Sequence, residues 1–368
     1  MHRRGIVAFL LWLVVGVGVT APLAGAAAPP TTVPPPPPIP ATYITVDVDT
    51  GNIVAQSDSR TLHPPASTIK LMTALIAAER LPAGDVIPIS ALAESMPARK
   101  INVKAGQTWT LNDLMHCVLM ISANDAAVAV AERVGGSLDG FTTIAQATAD
   151  RLGLADKPVF NDPAGLDDQF AHKGGSLISA RDLAIVARAV IARPDLMAII
   201  GKAEYTFNGG DGVSHHFTNH DLFLTMYDGA TGMKTGTTDR AGSTFVGSAT
   251  RNGRTMLTVE LNAPDAYRSA EVLLDQGFAT PVAAESKVDA LPAVVKDASL
   301  PPTTAPPVGQ AAAAAATASK RSGSPLDVNS PIVAVAILLA GIVALVIVRR
   351  ALVLRQAARH TAAQHEEY

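Results

Sequence analysis

Pro65-Ala66-Ser67-Thr68-Ile69-Lys70-Leu71-Met72-Thr73-Ala74-Leu75-Ile76 runs from a loop into a helix, and the rest of the chain is best read outward from it. Ile69, Met72, Leu75 and Ile76 recur at the spacing of one helical face, which predicts a helix over residues 68–80. Ser67 and Lys70 then stand three residues apart at the helix start, with a hydroxyl and an amine within side-chain reach. Serine is a weak nucleophile at neutral pH and needs a neighbour to take its proton. A lysine does this only where burial or nearby positive charge lowers its pKa. The helix N-terminus adds a favourable dipole and free N–H groups for an oxyanion. Alone, a serine with a lysine three residues on is more often a helix cap beside a solvated lysine, so the pattern takes its weight from its company.

Upstream, residues 43–48 alternate and are β-branched, Asp49-Thr50-Gly51-Asn52 form a turn, and residues 53–55 resume the pattern, so a β-hairpin opens the folded part. Downstream to about residue 200 the pattern is mainly helical, with helices over 111–120, 125–134, 138–152 and 180–192 forming one lobe. Past Lys202 the character changes. Residues 233–236, 243–249 and 255–261 read as strands, Arg251-Asn252-Gly253-Arg254 as a tight hairpin connection, and 265–278 as a closing helix. The economical assembly is an α/β (α+β) fold: one largely antiparallel sheet of the opening hairpin and the late strands, covered by the first and last helices, plus the helical lobe.

Both ends of the 368-residue chain read as something other than folded domain. Arg3 and Arg4 precede an apolar run over 6–19 and then Ala24-Gly25-Ala26, which predicts a signal peptide over 1–26. Residues 331–348 form an unbroken apolar run of membrane-spanning length, followed by Arg349, Arg350, Arg355 and Arg359. That charge places a 349–368 tail in the cytoplasm, with everything before the span outside the cell membrane. The Pro-rich linker 27–40 and the Pro/Ala-rich linker 299–330 cannot bury a core. They leave 41–298 as the catalytic domain.

Cys117 is the sole cysteine, so no intramolecular disulfide is possible, and its apolar helical setting predicts a buried small hydrophobe. With 29 Lys+Arg against 32 Asp+Glu, a net charge of −3 and no basic stripe, nucleic acid is not an expected partner. His215, His216 and His220 read as exposed histidines of a polar loop and match none of the usual zinc spacings, so neither a metal nor another cofactor is expected.

Two further elements give Ser67 its company. Ser122-Ala123-Asn124 lies between two helical runs, and Lys234-Thr235-Gly236-Thr237 lies on a predicted strand. A serine–lysine pair, a second serine/asparagine element and K-T-G occur in that order in penicillin-binding proteins and class A β-lactamases.

On these motifs residues 41–278 resemble the D-alanyl-D-alanine carboxypeptidase family, the low-molecular-weight penicillin-binding proteins of serine peptidase family S11. Asn161-Asp162-Pro163-Ala164-Gly165-Leu166, Ser179-Ala180-Arg181-Asp182-Leu183-Ala184 and Gly232-Met233-Lys234-Thr235-Gly236-Thr237-Thr238 carry the likeness further. The resemblance implies a β-lactamase/transpeptidase-like fold and removal of the terminal D-alanine from peptidoglycan stem peptides ending in D-Ala-D-Ala, with β-lactams as covalent inhibitors. It implies that Ser67 attacks, Lys70 accepts its proton, the Ser67 and Thr237 N–H groups hold the oxyanion, and Ser122 relays a proton to the leaving nitrogen. Lys234 keeps the field positive, and Asn124 holds the substrate or Lys70.

The family often carries an arginine for the substrate carboxylate in an N-x-N-like element upstream of K-T-G. Here that element reads Thr218-Asn219-His220, which leaves Thr235, Thr237 and either His220 or Arg240 for the task. Two alternatives share the motifs: a β-lactamase-like hydrolase and a penicillin-binding sensor that never turns over. Residues 157–168 hold aspartates but no glutamate of the kind class A β-lactamases use for deacylation. A pure sensor has no need of the full proton relay.

Overall fold

The computed structural model describes residues 37–294. The expected signal peptide 1–26, the linker 299–330, the span 331–348 and the tail 349–368 lie outside the described residues, as does most of the linker 27–40. Among the described residues no helix is long and apolar enough to cross a membrane.

Strand alternation builds the centre of the fold, because successive side chains point to opposite faces of a sheet. Five strands pair antiparallel: β1 (Thr42–Asp47), β2 (Ile53–Ser57), β7 (Ala230–Thr238), β8 (Gly242–Arg251) and β9 (Arg254–Leu261), in the order β2-β1-β9-β8-β7. Val246 pairs with Val259, and Leu257 with Val46, on one face. These residues belong to the main core, together with α1 (Lys70–Arg80) and α6 (Ala180–Ile191). The neighbours Phe245 and Met256 point the other way and pack with Ala270 and Leu274 of α9 (Ala266–Ala279). Both faces are therefore buried, and the sheet is the middle layer of three. Asn252 and Gly253 adopt φ of 53° and 76°, the paired left-handed conformation that a two-residue hairpin turn requires.

The helical lobe surrounds α1. It comprises α2 (Ala91–Ser95), α3 (Leu111–Met120), α4 (Asn124–Gly135), α5 (Leu138–Leu152), α6 and α7 (Pro194–Ile200). Local chemistry sets the boundaries. Thr110 caps α3 by accepting from Asp113 N, Ser179 caps α6 by accepting from Asp182 N, and Gly136 ends α4 at φ 70°. Cys117 is buried in α3, as expected of a small hydrophobe.

Three local expectations need correction. The helix predicted from residue 68 starts at Lys70; residues 66–69 form a tighter 3₁₀ turn in which Thr68 Oγ1 donates to Pro65 O at 2.6 Å. The helical stretch also contains a short strand pair, β3 (Val86–Pro88) with β4 (Thr108–Thr110). The segment read as a histidine-bearing polar loop is largely a hairpin, β5 (Glu204–Asn208) with β6 (Ser214–Thr218). Its Phe207 and His215 rings pack beside the buried Trp109, 6.1 and 5.4 Å between ring centres.

After α9 the chain returns across the domain as an irregular strap. Ile53 and Ser286 exchange backbone hydrogen bonds, and Leu291 N donates to Gly51 O at 2.8 Å. Three arginines clamp the strap. Arg254 donates to Asp47, Thr280 O and Glu285; Arg181 donates to Asp289 O at 2.8 Å; Arg188 joins Val48 O to Pro292 O, at 2.9 and 2.8 Å.

Candidate active site

Ser67 sits where the 3₁₀ turn meets the edge strand β7, and two glycines allow the close approach. A Cβ at Gly236 would fall 2.8 Å from Ser67 N and 2.4 Å from Thr244 Oγ1; one at Gly165 would fall 1.9 Å from Ala66 O. Thr244 Oγ1 donates to Pro65 O at 2.8 Å and ties the turn to β8. The preceding Ala66 has φ 46°, and Ser122 has φ 64°. Left-handed backbone costs a non-glycine residue about 1–2 kcal/mol, so the surrounding bonds must hold both residues in place.

Lys70 is fully buried, and its Nζ lies 2.8 Å from Ser67 Oγ, 2.8 Å from Asn124 Oδ1 and 2.6 Å from Ala164 O. As an ammonium it donates to all three. Loss of one proton leaves two N–H groups for the two carbonyl oxygens and a lone pair facing the serine hydroxyl. Burial, with the Lys234 charge adding to it, pushes the Lys70 amine well below the usual lysine range, while Asp162 and Asp125 oppose the shift. Geometry and electrostatics thus both favour a base beside Ser67.

The acceptors that hold Lys70 are themselves fixed. Asp162 Oδ1 accepts from the N–H groups of Ala164, Gly165 and Leu166 at 2.9, 2.7 and 3.0 Å, which turns Ala164 O toward the amine. Asn124 is a three-way pin: Oδ1 accepts from Lys70, Nδ2 donates to Pro97 O at 3.2 Å, and its backbone N–H donates to Arg99 O at 2.7 Å. Of the two roles expected for Asn124, the structure displays the hold on Lys70. Asp125 accepts from Ile101 N and Val103 N and so shapes the same 97–103 loop.

Lys234 lies on β7 opposite Val246, with Nζ donating to Thr235 O at 2.9 Å. Burial pushes it down to about 8; Asp221 opposes and Arg99 adds to the shift. Asp221 is pushed up to about 6, also by burial first.

Ser67, Ser122, Asn124, Thr235, Gly236 and Thr237 line one groove of about 350 Å3, together with Arg99. A second hollow adjoins it, bounded by Arg99, His220, Thr235, Thr237 and Tyr267. His220 lines the second hollow, but burial, together with Arg99 and Lys234, lowers its pKa, so it brings no charge at neutral pH, against the expectation that it could supply one. Arg240 lines neither hollow. The cation there is Arg99, which the sequence did not single out because nothing in Pro97-Ala98-Arg99-Lys100 marks it.

A family model for D-alanyl-D-alanine carboxypeptidases, peptidase S11, matches residues 31–265, more than half of the chain. The chain belongs to that carboxypeptidase family. The D-alanyl-D-alanine carboxypeptidase DacB2 of Mycobacterium tuberculosis is 35% identical over 244 residues, 65% of this chain and 82% of that one. A D-alanyl-D-alanine carboxypeptidase structure from M. tuberculosis H37Rv has 32% identity and a TM-score of 0.63, covering 70% of this chain and 98% of its own. Penicillin-binding protein D2 of Listeria monocytogenes, solved in its ampicillin-bound form, has 26% identity and a TM-score of 0.56, covering 65% and 97%. The chain spans only 61% and 60% of the carboxypeptidases DacF of Bacillus subtilis and DacC of Escherichia coli. As in those carboxypeptidase-family structures, the fold is of the β-lactamase/transpeptidase type.

Proposed function

We propose that the chain is a serine D,D-carboxypeptidase that removes the terminal D-alanine from peptidoglycan stem peptides through a Ser67 acyl-enzyme. The observation that carries this is the setting of Lys70: a buried amine with lowered pKa, two carbonyl acceptors, and the nucleophile's oxygen 2.8 Å away. Ser67 Oγ attacks the penultimate D-alanine carbonyl, and its proton passes to Lys70 Nζ. The close approach of β7 at Gly236 supports an oxyanion site between the N–H groups of Ser67 and Thr237. Collapse of the tetrahedral adduct breaks the peptide bond, and the proton reaches the departing nitrogen through Ser122. Water then attacks the ester, gives its proton back by the same route, and frees Ser67. Lys234 holds the positive field over the substrate end of the groove.

β-Lactams acylate Ser67 as mimics of this substrate and block it, since the groove offers no glutamate to speed their hydrolysis. Signal peptide 1–26 and the apolar run 331–348 support export and single-pass anchoring with the catalytic domain outside the cell membrane. The test is D-alanine release from a D-Ala-D-Ala pentapeptide by the purified full chain beside Ser67→Ala. Release by the parent and none by the variant is the expected result. Penicillin labelling without D-alanine release would make the protein a sensor, and fast penicillin turnover would make it a β-lactamase.

A further inference from the structure

We infer that Arg99 is the residue that selects a free C-terminal carboxylate on the substrate, taking this task from outside the strand that carries K-T-G. The inference rests on the carboxypeptidase reading and adds a specificity determinant to it. Arg99 is exposed and lines both adjoining hollows, as Thr235 and Thr237 do. No carboxylate lies within ion-pair distance of it among the described residues. Surface arginines beside clefts commonly find an acidic partner; this one meets His220 Nδ1 at 2.8 Å and the fields of two lysines. A cation kept beside other cations, with no ion-pair partner and a place in the lining of both hollows, is complementary to an anion that arrives with the substrate.

Its placement is built in. The loop is pinned through Arg99 O by Asn124 N and through Ile101 N and Val103 N by the Asp125 carboxylate. Asn124 also holds Lys70, so one residue sets the base and the loop bearing the guanidinium in a common frame. His220 accepts from Arg99 Nη1 and orients the fork. Across the hollow, Thr235 and Thr237 supply hydroxyls for the same carboxylate. A peptide whose scissile carbonyl lies at Ser67 then has one residue's length between that carbonyl and its carboxylate, so the enzyme trims one terminal residue and rejects a chain that continues.

The test compares kcat/KM of the purified full chain for a D-Ala-D-Ala pentapeptide and for the same peptide capped as a C-terminal amide. Loss of a charge-assisted hydrogen bond is worth about 10- to 100-fold. The acid-to-amide preference of Arg99→Ala is therefore expected to fall by about that factor relative to the parent, mainly through KM for the acid. Arg99→Lys is expected to restore part of the preference, since it keeps the charge and loses the fork. An unchanged acid-to-amide ratio in Arg99→Ala, or an equal loss on both peptides, overturns the inference. Failure of the underlying reading looks different: the parent itself would release no D-alanine, or Ser67→Ala would release as much as the parent.

Discussion

Glu260 lies near the C-terminal end of β9, fully buried, with Oε1 lacking any partner and Oε2 against Ser269 Oγ. Burial pushes its carboxyl up to about 8, with the nearby Asp265 adding to the shift and the Ser269 hydrogen bond opposing it. The folded protein therefore keeps a proton here that the unfolded chain sheds above its ordinary value of 4.5. Because the native state binds more protons, stability is greatest below about pH 4.5 and falls as pH rises toward about 8. At about 1.4 kcal/mol per unit, the loss between about pH 4.5 and pH 7 is roughly 3 kcal/mol. Glu260→Gln removes the titration and keeps an acceptor for Ser269. Its own buried NH2 adds a constant offset of about 1–3 kcal/mol, which does not vary with pH. Urea unfolding of parent and variant across this range should show the difference between them shifting by roughly 3 kcal/mol in favour of the variant as pH rises. A difference that stays flat from about pH 4.5 to 7 would falsify the claim that this carboxyl is protonated in the native state.

Four further outcomes follow from the geometry. Gly236→Ala places a methyl 2.8 Å from Ser67 N and 2.4 Å from Thr244 Oγ1, so penicillin acylation of Ser67 should slow by about 100-fold or more while the protein stays folded; stopped-flow labelling beside a thermal melt reads both. The pH profile of kcat/KM should lose activity on acidification, as Lys70 is protonated, and again above about 8, as Lys234 loses its charge. Asp221→Asn removes the negative charge that holds the Lys234 proton, so the alkaline limb should move to lower pH, and a limb that stays put excludes that coupling. Arg254→Ala leaves the buried Glu285 and Asp47 without their cation, which should cost about 3–5 kcal/mol in chemical denaturation; a loss under about 1 kcal/mol would mean that the cluster adds little.

The sheet, α3, α5 and the three motifs were legible because each leaves a periodic or spaced trace: alternation in 243–249 and 255–261, helical spacing in 111–120 and 138–152. Ser67, Lys70 and Gly236 stood out for the same reason. Arg99 was not, because its position is made by long-range bonds from Asn124 and Asp125 to backbone atoms, which no local pattern records. Asp162 shows the converse: its motif was visible, yet its work of aiming Ala164 O at Lys70 emerges only when the loop closes on its carboxylate. The β5–β6 hairpin was overlooked because its strands are only five residues long and rich in polar side chains, and the adjacent His215 and His216 read as polar loop until the His215 ring is seen packed beside Trp109.

The strap that follows α9 also determines how the domain answers to a pull. It is fastened to Gly51 and Ile53 beside β2, to Arg254 of β9 and to Arg181 and Arg188 of α6, whereas the groove is built on the edge strand β7. Tension applied at residue 294 is shared first among the arginine clamps and the strap's backbone bonds. From the Arg254 clamp on β9, a load that travels through the sheet crosses two strand ladders to reach β7, about 10 Å at the usual interstrand spacing. A drag on the chain end is thus met by the strap's own bonds before it reaches the strand that carries the groove.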